Sequence, residues 1–300
     1  MEGQHTIAFD RDTTGQPQAS ESPFRSALRR FLRQPMGTLG LLLTGLSVAA
    51  AVLAPAIVPY DPLVQHQNQE LVQPGRAFLL GTDDVGRDIL SRILYGMRLS
   101  LMVGILSVLL GALVGVVSGM TAGYLEGWLD AVTMRLWDSV LAFPPVLVGV
   151  AIAALMGPGT LSLCLALALA SIPQFARLAR ASVLVEKQRE YVAAARCLGG
   201  SDVLILARHI FPNTLSPLLV QLTLAMAFAV LLESGLSFLG IGAQPPEASL
   251  GSMLSVARRF LRPAPWYGVF PGLALVVLLL GLNFLSDAAR TALDPRRANA

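Results

Sequence analysis

Six stretches of this chain run uncharged over 17 to 22 residues, and that pattern leaves few folds open. Residues 38–58, 99–120 and 266–286 reach 21 or 22 residues each, the length a helix needs to cross roughly 30 Å of hydrocarbon at about 1.5 Å per residue. Residues 139–156, 160–176 and 215–232 are shorter and carry Pro144, Pro145, Pro173 and Pro217. In a bundle, neighbouring helices satisfy the carbonyls that proline frees. Gly157-Pro158-Gly159 stops any helix, so the third and fourth spans are expected as an antiparallel hairpin. With 54% hydrophobic and 14% charged residues among 300, the chain is predicted to be all-α, a polytopic membrane protein with six transmembrane helices. A soluble domain carries about 25% charge.

Lysine and arginine placement predicts the orientation. With the N-terminus inside, 15 of the 22 basic residues fall on the cytoplasmic side and 7 outside, the bias expected when both termini are cytoplasmic. The tails are then residues 1–37 and 288–300. Arg29-Arg30 before an apolar run also resembles a twin-arginine signal, but the run is long for a signal and five more spans follow; a basic flank anchoring the first helix fits better. The positive charge is spread along the chain, not clustered as in a nucleic-acid binder.

Residues 59–98 form the first outward loop. Its second half, 82–97, has an apolar face at helical spacing (Val85, Ile89, Leu90, Ile93, Leu94, Met97), with Asp83–Arg87 and Asp88–Arg92 as i,i+4 ion pairs. This predicts an amphipathic interfacial helix capped by Thr82 or Asp83.

Several chemistries are excluded. The only lysine, Lys187, lies between Glu186 and Gln188, so there is no Walker phosphate loop. His5, His66 and His209 all fall outside the spans, which removes an intramembrane histidine base and leaves no metal-ligand spacing. Cys164 and Cys197 make neither a disulfide framework nor a zinc site.

The informative loop is 177–214. It reads as two short helices about a glycine elbow: Glu190 to Arg196, then Gly199-Gly200, then Ser201 and Asp202 placed to cap a second helix that Pro212-Asn213 ends. A plain connector would be shorter; a structured basic loop of this length suggests a docking surface.

The stretch Ala194-Ala195-Arg-Cys-Leu-Gly199, with His209 and Pro212 further on, resembles the EAA loop of prokaryotic ABC importer permeases. Gly81-Thr-Asp-Asp-Val-Gly-Arg-Asp88 and Glu233-Ser-Gly-Leu-Ser-Phe-Leu-Gly240 agree, and together the three blocks resemble the dipeptide and oligopeptide permeases of the DppC/OppC type. The motif's leading Glu falls on Ala193, with Glu190 one turn earlier, and Leu250-Gly251 stands where the family has Trp-Gly. The resemblance implies a type I ABC importer transmembrane domain with a five-helix core over 99–287 in a bacterial inner membrane. It implies four kinds of partner: a second, homologous permease, two cytoplasmic ATPases, an extracytoplasmic peptide-binding protein, and the peptide itself. ATP and Mg would sit on the ATPases and no cofactor on this chain.

Permeases for nickel or metal chelates share these motifs and remain an alternative within the family. A secondary carrier is the alternative from another class; its marks would be internal repeats and several intramembrane ionisable groups. Here Glu233 stands nearly alone. It is expected either to line the path near the outer end of the fifth helix or to serve as an interhelical partner or a helix-end cap.

Overall fold

Inside lipid no water satisfies a backbone N–H or C=O, so an apolar run must bond to itself and becomes helical. The computed structural model describes residues 34–293; Arg29-Arg30, most of the N-terminal tail and residues 294–300 lie outside the described residues. The elements are α1 Pro35–Ile57, α2 Ile89–Leu125, α3 Gly127–Leu141, α4 Pro145–Met156, α5 Thr160–Glu186, α6 Glu190–Cys197, α7 Asp202–Ile205, a π turn Leu206–Ile210, α8 Phe211–Phe238, α9 Leu250–Ala257 and α10 Trp266–Leu293. Among the described residues five helices are long and apolar enough to cross a membrane, and the count reaches six when the bent pair α3–α4 is taken as one span.

The third span differs from the expectation. It begins earlier than residue 139 and is broken by 89° between α3 and α4. Pro144 and Pro145 cause the break, since each removes an amide donor and restricts the residue before it.

The loop before α2 also departs from the sequence reading. Residues 82–88 are not helical; Thr82 and Asp88 form an isolated antiparallel bridge, and the helix starts at Ile89 and runs unbroken into the span. The Asp83 carboxylate explains this, because it accepts the amides of Val85 at 3.0 Å and Arg87 at 2.8 Å and closes a local turn that competes with helix. The Asp83–Arg87 pair forms at 2.7 Å. The Asp88–Arg92 pair does not, since Asp88 caps α2 by accepting the amide and hydroxyl of Ser91 at 2.8 and 2.6 Å. Arg92 turns instead to Asp83 at 3.4 Å and to the Pro62 carbonyl at 3.2 Å. Tyr267 of α10 donates to Asp84 at 2.9 Å, so this loop is tied to the far end of the bundle.

The bundle is organised by α2 and α5, which pack along most of their length. Gly111, Gly115, Gly119 and Gly123 form one face of α2, each aimed at the α5 backbone near Ala168, Ile172, Ala176 and Arg180 in turn. A Cβ at Gly119 would overlap the Ala176 carbonyl, and one at Gly123 would stand 2.9 Å from the Arg180 oxygen. Small residues every fourth position are how helices approach closely in lipid, where no hydrophobic force drives them together. The remaining helices close around this pair. The face of α1 that carries Gly40, Thr44, Ser47, Ala51 and Ala54 is buried, with Gly40 against Phe284 and Thr44 against Gly281 of α10, while Leu41, Leu42, Leu46 and Leu53 face outward.

Candidate functional site

The stretch between α5 and α8 lies at the end of the bundle where α2 ends, called here the coupling end, since Lys187 and Asp202 both bond to Tyr124 there. α5 is 27 residues long, about 40 Å at 1.5 Å per residue, so it carries the loop beyond a hydrocarbon layer of roughly 30 Å. α6 starts at Glu190, whose exposed carboxylate sits in the first turn, where the helix dipole favours negative charge. It ends as the sequence predicts. Ala194 and Ala195 carbonyls accept the amides of Leu198 and Gly200, both at 3.1 Å, and Gly199 adopts φ +79°, a left-handed turn that glycine makes at least cost. Ser201 then caps α7, its hydroxyl accepting the Leu204 amide at 3.4 Å.

The second helix does not stop at Pro212-Asn213. α7 passes through the π turn directly into α8, with Pro212 at the change of hydrogen-bond register where the π turn gives way to α8. Asn213 donates to the His209 carbonyl at 2.7 Å and to the Tyr191 hydroxyl at 3.2 Å, which sews the junction to α6.

Asp202 does not cap either. Its carboxylate accepts the Tyr124 hydroxyl at 2.6 Å and so binds α7 to the end of α2. Tyr124 is the hub of this end. Lys187 lies 5.3 Å and Arg196 5.5 Å from its ring centroid, and the Lys187 ammonium donates to the Tyr124 carbonyl at 2.6 Å and to Glu126 at 2.8 Å. Arg180 on α5 holds Asp130 of α3 with two bonds of 2.5 and 2.6 Å, and Arg177 holds Asp138 at 2.6 Å. Beneath these polar ties Val192, Ile205 and Ile210 are fully buried against Tyr124, Phe175, Ala179 and Val183. Glu186 accepts the Tyr191 hydroxyl at 2.7 Å; burial, and then this bond, push the Tyr191 phenol above its usual value. The loop is therefore rigidly joined to α2, α5 and α8 on its inner side. On its outer side it presents Leu198, 89% exposed, and Val203, 78% exposed.

Tyr124, Asp130 and Lys187 escaped the sequence reading. Their signal was charge complementarity between the end of the second span (Glu126, Asp130) and the basic end of the fourth (Arg177, Arg180, Lys187), which is invisible until the two helices are known to be neighbours.

Glu233 is not on an open path. It is fully buried between α8 and α2, and its carboxyl accepts three hydroxyls: Ser100 at 2.7 Å, Ser237 at 2.8 Å and Ser234 at 3.1 Å. Ser100 is its partner across the helix pair. Glu233→Gln replaces an acceptor oxygen with an amide donor facing hydroxyls that already donate. It is expected to cost about 1–3 kcal/mol, lowering the thermal unfolding midpoint in detergent while leaving the apparent affinity for substrate unchanged. A changed affinity with an unchanged midpoint would return Glu233 to the path.

Comparison with known proteins places this architecture. Residues 111–299 match the family described as binding-protein-dependent transport system inner membrane component, and residues 22–74 match the N-terminal TM domain of oligopeptide transport permease C. The dipeptide transport system permease protein DppC of Escherichia coli is 45% identical over 281 residues, 92% of this chain and 94% of that protein. The glutathione transport system permease protein GsiD of Pectobacterium atrosepticum is 43% identical over 276 residues, 92% of each chain. Among solved structures, the inward-facing methionine ABC transporter MetNI shares the fold at TM-score 0.55 and 16% identity, over 67% of this chain and 95% of that one. A secondary carrier is thereby set aside: the chain belongs to the binding-protein-dependent transport system inner membrane component family, the multi-pass inner-membrane permeases of ABC importers.

Proposed function

We propose that this chain is the permease subunit of an ATP-driven importer of dipeptides or short oligopeptides, and that the 177–214 loop receives the stroke of cytoplasmic ATPases. The observation that carries the reading is the two-sided construction of the coupling end. A short helix pair exposes Leu198 and Val203 outward, where a groove on a partner would cover them, and is tied inward through Asp202 to Tyr124 and through Val192 to the core. A push on such a loop moves α2, α5 and α8 together, as rigid-body alternating access requires. ATP and Mg belong to two partner ATPases, and a second homologous permease supplies the other half of the path. An extracytoplasmic binding protein delivers the peptide. The names of the relatives, dipeptide and glutathione permeases, favour a peptide over a metal chelate.

Uptake of a labelled dipeptide tests the substrate. Deleting the chain should abolish ATP-dependent uptake into cells while nickel accumulation stays normal; the reverse pattern would select the metal-chelate alternative.

Both termini and the coupling end are cytoplasmic in this reading. Native Cys197 is exposed on α6 and Cys164 is buried, so the wild-type protein carries its own probe. An impermeant maleimide should label Cys197 in inverted vesicles and not in intact cells, with Gln69→Cys in a Cys197→Ser background behaving oppositely. Labelling of Cys197 from outside would remove any contact with cytoplasmic ATPases.

A further inference from the structure

At the far end of the bundle, between α1 and α2, two cavities meet. One, of about 730 Å³, has a polar mouth containing Arg98, Tyr95, Asp61 and Glu247. The other, of about 280 Å³, runs toward the membrane centre between Val48, Val52, Leu101 and Ile105. Arg98 and Met102 line both, so the two cavities adjoin, with Arg98, Asp61 and Glu247 on the first and only apolar side chains besides Arg98 on the second. Among the described residues Arg98 enters no ion pair, and its side chain is exposed at the mouth. The carboxylates there are only lightly engaged, Glu247 by the Thr160 hydroxyl at 3.2 Å and Asp61 by the Leu63 amide at 2.8 Å.

We propose that this crevice is a phospholipid site selective for a zwitterionic headgroup of the phosphatidylethanolamine type, with the phosphate on Arg98, the ammonium toward Glu247 and Asp61, and one acyl chain along α1 and α2. Charge complementarity chooses the ligand. A purely anionic headgroup would satisfy Arg98 but meet two carboxylates, whereas a headgroup carrying both signs answers all three. From Arg98 to Ile105 the groove extends about 10 Å along the helix, most of one leaflet of a hydrocarbon layer roughly 30 Å thick. The acyl chain gains little by leaving bulk lipid, which is as apolar as leucine. The groove therefore sets where the lipid lies, and the mouth sets which lipid it is. A peptide is also zwitterionic, but its amide groups would find no partners in the apolar branch. The described residues nearest the two tails, 34 and 293, stand at the opposite end of the bundle, so neither tail starts beside the crevice. The proposal rests on the membrane fold and not on the transported substrate.

Native mass spectrometry of the full-length chain, extracted with its accompanying subunits and offered equal phosphatidylethanolamine and phosphatidylglycerol, tests it. The wild type should retain phosphatidylethanolamine preferentially. Arg98→Gln and Glu247→Gln should each lower that retention by up to about five-fold, as loss of an exposed ion pair of at most about 1 kcal/mol implies. Arg98→Lys should keep it, which separates lost charge from lost folding. Ile105→Trp, which fills the apolar branch, should also expel the lipid. Equal retention of both lipids, unchanged retention in Arg98→Gln, or no retained lipid at all would overturn the proposal. Displacement of the lipid by an added dipeptide would overturn it too and assign the mouth to substrate. Dipeptide uptake and lipid retention are separate readouts, so either reading can fail alone.

Discussion

Leu198→Asp is expected to abolish peptide uptake while the chain remains in the membrane at its normal level. Leu198 is 89% exposed and contributes almost nothing to the core, so the substitution leaves folding untouched, and the spans that direct insertion are unchanged. Its cost falls on docking. Burying a leucine side chain in a partner groove stabilises by about 1.5–3 kcal/mol, and an unpaired carboxylate placed there instead adds a penalty of several kcal/mol. A transient contact of micromolar affinity amounts to only about 8 kcal/mol. The combined loss should weaken docking by more than about a hundred-fold, since each 1.4 kcal/mol is a factor of ten. Measured outcomes are loss of the ATPases on purification, or retained ATPases whose hydrolysis no longer responds to substrate. Leu198→Met should behave as wild type. Normal uptake by Leu198→Asp at wild-type abundance would remove the coupling role of this loop.

Gly119→Leu is expected to prevent the bundle from assembling. A Cβ at this position already overlaps the Ala176 backbone, and backbone cannot step aside as a side-chain tip can. α2 and α5 would have to separate along their shared face, a disturbance larger than ordinary overpacking, which costs about 1–3 kcal/mol. The chain should disappear from membranes or become sensitive to protease throughout. Gly45→Leu is the control: it too is a glycine inside a span, but nothing stands within 4 Å of its Cβ position, and its protein level should be unchanged. Equal levels for both variants would show that the glycine face of α2 does not hold α5.

These two glycines mark the boundary between what sequence and structure each supply. The spans other than the third were legible from residue order alone because the bilayer imposes a one-dimensional rule: a run of about 20 apolar residues must satisfy its own backbone, whatever it packs against. The elbow at Gly199 and the Ser201 cap were legible for the same reason, since capping geometry involves residues only a few positions apart. The start of α2 was misread because local competition for the Asp83 carboxylate outweighed an apolar periodicity that fitted a longer helix. The continuity of α7 into α8 was misread because a π turn at Leu206–Ile210 shifts the hydrogen-bond register just before Pro212, so the proline does not end the helix. Tertiary structure alone decided that Gly119 faces Ala176 and Gly45 faces outward, that Arg92 answers Asp83, that Asp202 meets Tyr124, and that Glu233 is enclosed by three serines. Each of those facts depends on which helix stands opposite, and lipid is too similar to a leucine side chain for hydropathy to reveal the partner.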